Sequence, residues 1–201
     1  MFRTALAFCT LHAKISGLDS SYDFSQKTMI DLAAHIRTIP DFPIPGILFY
    51  DITTLIQNGG AFQETVDRLA DSVRAWGKID LIAAPEARGF IFAAPLAVKL
   101  GVGLIPIRKP GKLPFKTVSK SYELEYGTNT IQINCDAVKT GDRVLLLDDL
   151  LATGGTIEAC RQIVTELGGS VVGAAFVMEL IALKGREKIK TPHIETLLQF
   201  A

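Results

Sequence analysis

The chain has 201 residues, 48% of them apolar, and 21 acidic side chains balance 21 basic ones to a formal net charge of zero. One domain of this size buries about 70% of its unfolded surface, and a neutral balance excludes any general pull toward nucleic acid or an anionic membrane. No apolar run approaches the ~20 residues of a membrane-spanning helix, and Cys9, Cys135 and Cys160 show no metal-ligand spacing, so they read as thiols of a reducing cytoplasm.

The first segment, "MFRTALAFCTLHA", imitates a signal peptide weakly but offers no clear cleavage site. A polar, aperiodic "SGLDSSYDFSQK" follows. Residues 1–28 are therefore expected to be an extension, disordered or upstream of a native start at Met29, with the domain proper over 29–201. "MIDLAAHIRTI" reads as a short amphipathic helix that "PDFPIPG" ends with three prolines and a glycine. "GAFQETVDRLADSVRAWG" is a second helix, "IDLIAAP" a buried strand, "RGFIFAAPLAVKLG" a helix and "VGLIPIR" a strand. "KPGKLPFKTVSK" is a polar, basic loop, and "SYELEYGTNTIQI" alternates around a glycine like a β-hairpin. "DRVLLLDDL", "TIEACRQIVTELGG" and "SVVGAAFVMEL" read as strand, helix and strand. The alternation predicts an α/β fold with a mainly parallel sheet flanked by helices. Such sheets place ligands at the carboxyl ends of their strands.

The stretch "VLLLDDLLATGGT", residues 144–156, lies at such an end. Its strand is expected to stop near Asp148 and Asp149, and its helix to begin around Thr153 to Thr156. Ala152, Thr153, Gly154, Gly155 and Thr156 provide small residues, backbone N–H groups, two hydroxyls and a helix N-terminus, which together can cradle a phosphate. The lysine of a Walker loop is absent, and no dinucleotide fingerprint occurs in the right context. Two ionised carboxylates beside a phosphate make sense as acceptors for vicinal hydroxyls, or through water around a divalent metal. A phosphate next to a diol describes a ribose 5-phosphate. Arg108, Lys109, Lys112 and Lys116 crowd into the basic loop, which taken alone reads equally well as a solvated charge run. Arg88 opens a predicted helix and suits a phosphate or an ordinary surface position.

Five blocks in this order, "IPDFPIPGILFYDIT", "EARGFIFAAPLAVKLGVGLIPIRKPGKLP", "SYELEYG", "VLLLDDLLATGGT" and "ELIALKGREKI", resemble the type I phosphoribosyltransferases, in particular the branch that acts on adenine. The resemblance covers residues 29–201. It implies that fold with an N-terminal hood and a mobile β-hairpin, and a cytoplasmic homodimer that makes AMP and pyrophosphate from adenine and phosphoribosyl pyrophosphate. It implies no nucleic-acid or membrane partner. Asp148 and Asp149 would bind the ribose hydroxyls, and Ala152 to Thr156 the 5-phosphate. Arg88, with the backbone of Glu86 and Ala87 joined by a non-proline cis peptide, would bind pyrophosphate. Arg108, Lys109 and Lys112 would reach pyrophosphate, often from the neighbouring subunit. Glu125 and Tyr126 would act at the reacting centre, Phe49 would stack on the base, and the backbone near Leu48 would read its edge. The cofactor implied is Mg²⁺, held mainly by substrate and water rather than by a direct protein metal site. Many relatives carry arginine at the position of Tyr50, which leaves a side-chain role there in doubt. A transferase for another purine base, or a non-catalytic sensor of phosphoribosyl pyrophosphate, stands as the alternative.

Overall fold

The computed structural model describes residues 29–123 and 127–201. Residues 1–28 and the hairpin residues Glu125 and Tyr126 lie outside the described residues. In chain order the elements are β1 (Arg37–Pro40), β2 (Leu48–Asp51), α1 (Thr53–Gln57), α2 (Gly59–Arg74), β3 (Leu81–Pro85), α3 (Arg88–Leu100) and β4 (Gly103–Ile107). They continue with β5 (Thr117–Glu123), β6 (Thr128–Asn134), β7 (Arg143–Leu151), α4 (Gly155–Glu166), β8 (Ser170–Leu180), α5 (Gly185–Lys188) and β9 (Ile194–Phe200).

Five strands form one parallel sheet in the order β4-β3-β7-β8-β9. Its central strands are almost wholly apolar because both faces are covered. On one face Leu55, Leu69, Val73, Phe92 and Leu96 of α1, α2 and α3 pack on Ile82, Leu145, Leu147 and Val177. On the other, Ile157, Cys160, Ile163 and Val164 of α4 join Ile131 and Ile133 of β6 over Leu146, Ala174 and Phe176. The β5–β6 hairpin lies on this second face. It is tied to the sheet edge where Arg108, just past β4, exchanges backbone hydrogen bonds of 2.9 and 2.7 Å with Gln132.

Three readings of the sequence need correction. "MIDLAAHIRTI" is not an α-helix: it holds a single 3-10 turn at Ala33–His35 and then β1, paired antiparallel with β2. Pro40 biases Ile39 toward extended backbone, and cross-strand pairing then outweighs the weak helical pattern of a short segment. Strand β5 begins at Thr117, inside the segment read as loop, because its partner β6 runs back to Asn134 opposite it. Strand β7 continues past the two aspartates to Leu151, with Leu150 and Leu151 still paired to Met178 and Glu179 of β8. Beyond these, β9 pairs with β8 along its carboxyl half and had no counterpart in the sequence reading.

Candidate active site

The ladder between β3 and β7 ends at Ala83 and Leu146, while β7 runs on beside β8. One edge of β7 at Asp148 and Asp149 is thereby left free of β3, and the turn from β3 into α3 occupies it. The close approach depends on Gly89, where a side chain would press on Asp148 Oδ1 and the Leu147 carbonyl. Glu86 and Ala87, the two residues of that turn, are joined by the expected non-proline cis peptide bond.

A cleft of about 350 Å³ opens here, lined by Glu86, Ala87, Arg88, Arg108, Lys109, Asp148, Asp149 and Thr156. A smaller hollow of about 70 Å³ adjoins it at Asp148 and Thr156 and is lined by Ala152, Thr153, Gly154 and Gly155. The structure thus brings together most of the predicted site. Lys112 does not line the cleft; it is exposed, and its carbonyl accepts a 3.3 Å hydrogen bond from Arg108. Leu48 and Phe49 lie in the β1–β2 hairpin and do not line it either, although Phe49 meets Phe42 edge to face at 5.1 Å.

The two aspartates meet different surroundings. Asp149 is 2% exposed and forms an ion pair with Arg88, Nε to Oδ2 at 2.7 Å, yet that oxygen has no aligned hydrogen-bond donor. Asp148 Oδ1 accepts the Asp149 backbone N–H at 2.9 Å. Burial, and then the Asp149 charge, push the Asp148 carboxyl well above the usual carboxylate range. Arg108 donates to Glu86 Oε2 at 2.6 Å. Burial raises the Glu86 carboxyl, but hydrogen bonds from Arg108 and the Lys109 backbone outweigh this and hold it below its ordinary value. Cys160 under the site is fully buried, its thiol pushed up by burial and by Asp148.

The hollow is shaped by backbone. Gly154 caps α4 at φ +76°, a left-handed conformation that favours glycine. Any side chain there would drive into the Gly185 carbonyl, and one on Gly185 into the Ala152 carbonyl. The segment holding Gly185 in place is "ELIALKGREK", whose Glu179 is 2% exposed and accepts Arg186 Nε at 2.8 Å, Gln199 Nε2 at 3.1 Å and Thr196 Oγ1 at 3.2 Å. Convergent N–H groups at the head of α4 give the hollow anion-binding character.

Residues 53–196 match the phosphoribosyl transferase domain family. The chain is 56% identical over 173 residues to adenine phosphoribosyltransferase of Chloroflexus aurantiacus, covering 86% of this chain and 99% of that one. The chain belongs to the adenine phosphoribosyltransferases. The enzyme of that family from Thermoanaerobacter pseudethanolicus superposes with a TM-score of 0.81 at 52% identity, over 84% of this chain and 98% of the other. The adenine phosphoribosyltransferase of Saccharomyces cerevisiae, solved with an imino-altritol bisphosphate and adenine, gives a TM-score of 0.77 at 40% identity, over 83% and 96%. Within this phosphoribosyltransferase the sequence reading missed Tyr122 and Asn129, which line the cleft from the hairpin. Their signal was present in the alternation of β5 and β6, but nothing local says which face of a hairpin meets a cleft built from other parts of the chain.

Proposed function

We propose that this chain makes AMP and pyrophosphate from adenine and phosphoribosyl pyrophosphate, a purine salvage transfer. The observation that carries the reading is the contact of cleft and hollow at Asp148 and Thr156. Arg88, Arg108 and Lys109, the two aspartates, and the N–H cradle suit pyrophosphate, ribose and 5-phosphate in turn. Ala152 to Thr156 hold the 5-phosphate, and Asp148 and Asp149 accept from the ribose hydroxyls. Arg88 and the Glu86–Ala87 backbone bind pyrophosphate with Lys109 and Arg108. Lys112 serves a neighbouring protomer in a homodimer, consistent with its position outside the cleft of its own chain. The domain is residues 29–201, and the protein works in the cytoplasm.

In the reaction the C1–O bond to pyrophosphate breaks, the C1–N9 bond to adenine forms, and N9 gives up its proton. Bond breaking runs ahead, so the sugar ring gains oxocarbenium character, as in glycoside cleavage. Arg88 and Lys109 stabilise the departing negative charge. Holding both substrates in line contributes about 7–11 kcal/mol of barrier reduction. Glu125 takes the N9 proton or orients the base, and Tyr126 shares the catalytic role; proton transfer adds about 10²–10⁴-fold. Phe49 stacks on adenine, and the backbone near Leu48 reads its edge.

The donor set fits Mg²⁺ carried by the substrate. Asp148 and Asp149 at the cleft offer hard oxygens to water around such an ion. When bound, the ion supplies charge neutralisation to the pyrophosphate.

Turnover with adenine, hypoxanthine, guanine and xanthine in parallel tests the reading. AMP as the sole product supports it. IMP or GMP instead moves the assignment to another base, and donor binding without product moves it to a sensor.

A further inference from the structure

Tyr122 has no task in the reading above, yet it touches both halves of the site. It lies near the end of β5, and its hydroxyl is 3.0 Å from Thr156 Oγ1 in the first turn of α4. Asn129, its partner in register across the hairpin, donates from Nδ2 to the same hydroxyl at 3.3 Å. The orientation of that amide is set separately, because Asn129 Oδ1 accepts the Thr130 backbone N–H at 3.0 Å.

A phenol has one proton to give, and Asn129 occupies one of its lone pairs. With Asn129 donating to it, the phenol is free to give its proton to Thr156 Oγ1, and in that order Thr156 keeps its own proton for another acceptor. In the reverse order Thr156 would spend its proton on the phenol and turn a lone pair toward an incoming anion. Tyr122 is also held in place: the Lys120–Glu166 ion pair fastens β5 to the far end of α4, and the Tyr122 ring covers Gly155 together with Lys188.

We propose that Tyr122 is a positioning residue of the phosphate site, which fixes the Thr156 hydroxyl as a donor to the 5-phosphate while Asn129 sets the direction of the chain. The proposal rests on the hollow being the 5-phosphate site.

Calorimetric titration of the wild type, Tyr122→Phe, Asn129→Ala and the double variant with ribose 5-phosphate, and separately with magnesium pyrophosphate, tests it. Loss of one neutral hydrogen bond weakens ribose 5-phosphate by about 2- to 12-fold in Tyr122→Phe. Pyrophosphate affinity stays unchanged. Asn129→Ala shifts ribose 5-phosphate in the same direction, and the double variant loses less than the product of the two single effects, because both act through one chain. Tyr122→Phe keeps the ring, so an effect confined to ribose 5-phosphate is not a packing effect. Unchanged ribose 5-phosphate affinity in Tyr122→Phe overturns the proposal, as does an equal loss for both ligands. A wild type that binds neither ligand overturns the phosphoribosyl reading itself.

Discussion

The Asp148 carboxyl is buried beside a second acid, and its energetics differ in sign from those of Asp51 in the hood. Asp148 is pushed up by burial and by its neighbour, so the folded chain resists losing that proton. A raised carboxyl costs stability once the pH passes its ordinary value of 3.8, where the unfolded chain ionises freely. Asp148→Asn removes that cost. Its melting temperature should match the wild type at acid pH and exceed it increasingly as pH rises through and above that value. The same substitution should weaken phosphoribosyl pyrophosphate binding by about 0.5–1.5 kcal/mol, the worth of one neutral hydrogen bond. Parallel melting curves and titrations decide it, and a variant that is no more stable at neutral pH speaks against a strained Asp148. Asp51 behaves in the opposite way. Hydrogen bonds from Thr53 and Arg37 lower its carboxyl to about 2. Its contribution is complete above 3.8 and is lost as pH falls toward about 2. Denaturant midpoints of Asp51→Asn should therefore lie below the wild type at neutral pH and converge with it across that acid window.

Elements that were legible in the sequence are those whose signal is local. The buried strands β3, β7 and β8 and the helices α2, α3 and α4 carry their period in their own residues, and the phosphate hollow lies within one unbroken stretch. What escaped depends on distant partners. Strand β1 exists because β2 pairs with it, and the polar start of β5 exists because β6 runs opposite. Tyr122 gains a site only through Thr156, 34 residues on. The block "ELIALKGREK" served the sequence reading only as a marker of resemblance, whereas the structure gives it a physical role under the cradle. Arg186→Ala leaves the Glu179 carboxylate buried without its cation, which costs about 3–5 kcal/mol. Gly154→Ala forces a left-handed φ and a backbone clash onto one residue, so it should abolish ribose 5-phosphate binding even where the protein still folds. Denaturation measures the first loss and titration the second. Unimpaired binding in Gly154→Ala would mean that the turn tolerates rearrangement and that its shape is not what holds the phosphate.

At the scale of the whole molecule, the hood is a two-stranded appendage outside the main sheet, and its usefulness depends on how firmly it is joined to the body. One joint is the Asp51 carboxylate, which pairs with Arg37 across the hood itself and accepts from the Thr53 backbone N–H and hydroxyl at the start of α1. The second is aromatic. Tyr50 on β2 meets Phe200 at the end of β9 with ring centroids 4.4 Å apart and planes tilted by 33°. That contact gives a physical account of Tyr50, whose side-chain role the sequence left open: it acts through a ring on the last strand. Tyr50 sits next to Phe49 and two residues from Leu48, so loosening the ring pair should disturb the base without reaching the cradle at the head of α4. Tyr50→Ala should destabilise the fold by about 0.5–1.5 kcal/mol for the aromatic pair, beyond the area it buries. It should raise KM for adenine several-fold and leave ribose 5-phosphate affinity unchanged. Tyr50→Phe, which keeps the ring, should restore both stability and KM. Phe200→Ala should repeat the Tyr50→Ala phenotype, and the double variant should add little, since the two rings share one contact. Equal losses of adenine and ribose 5-phosphate affinity in Tyr50→Ala would instead show that the two halves of the site move together.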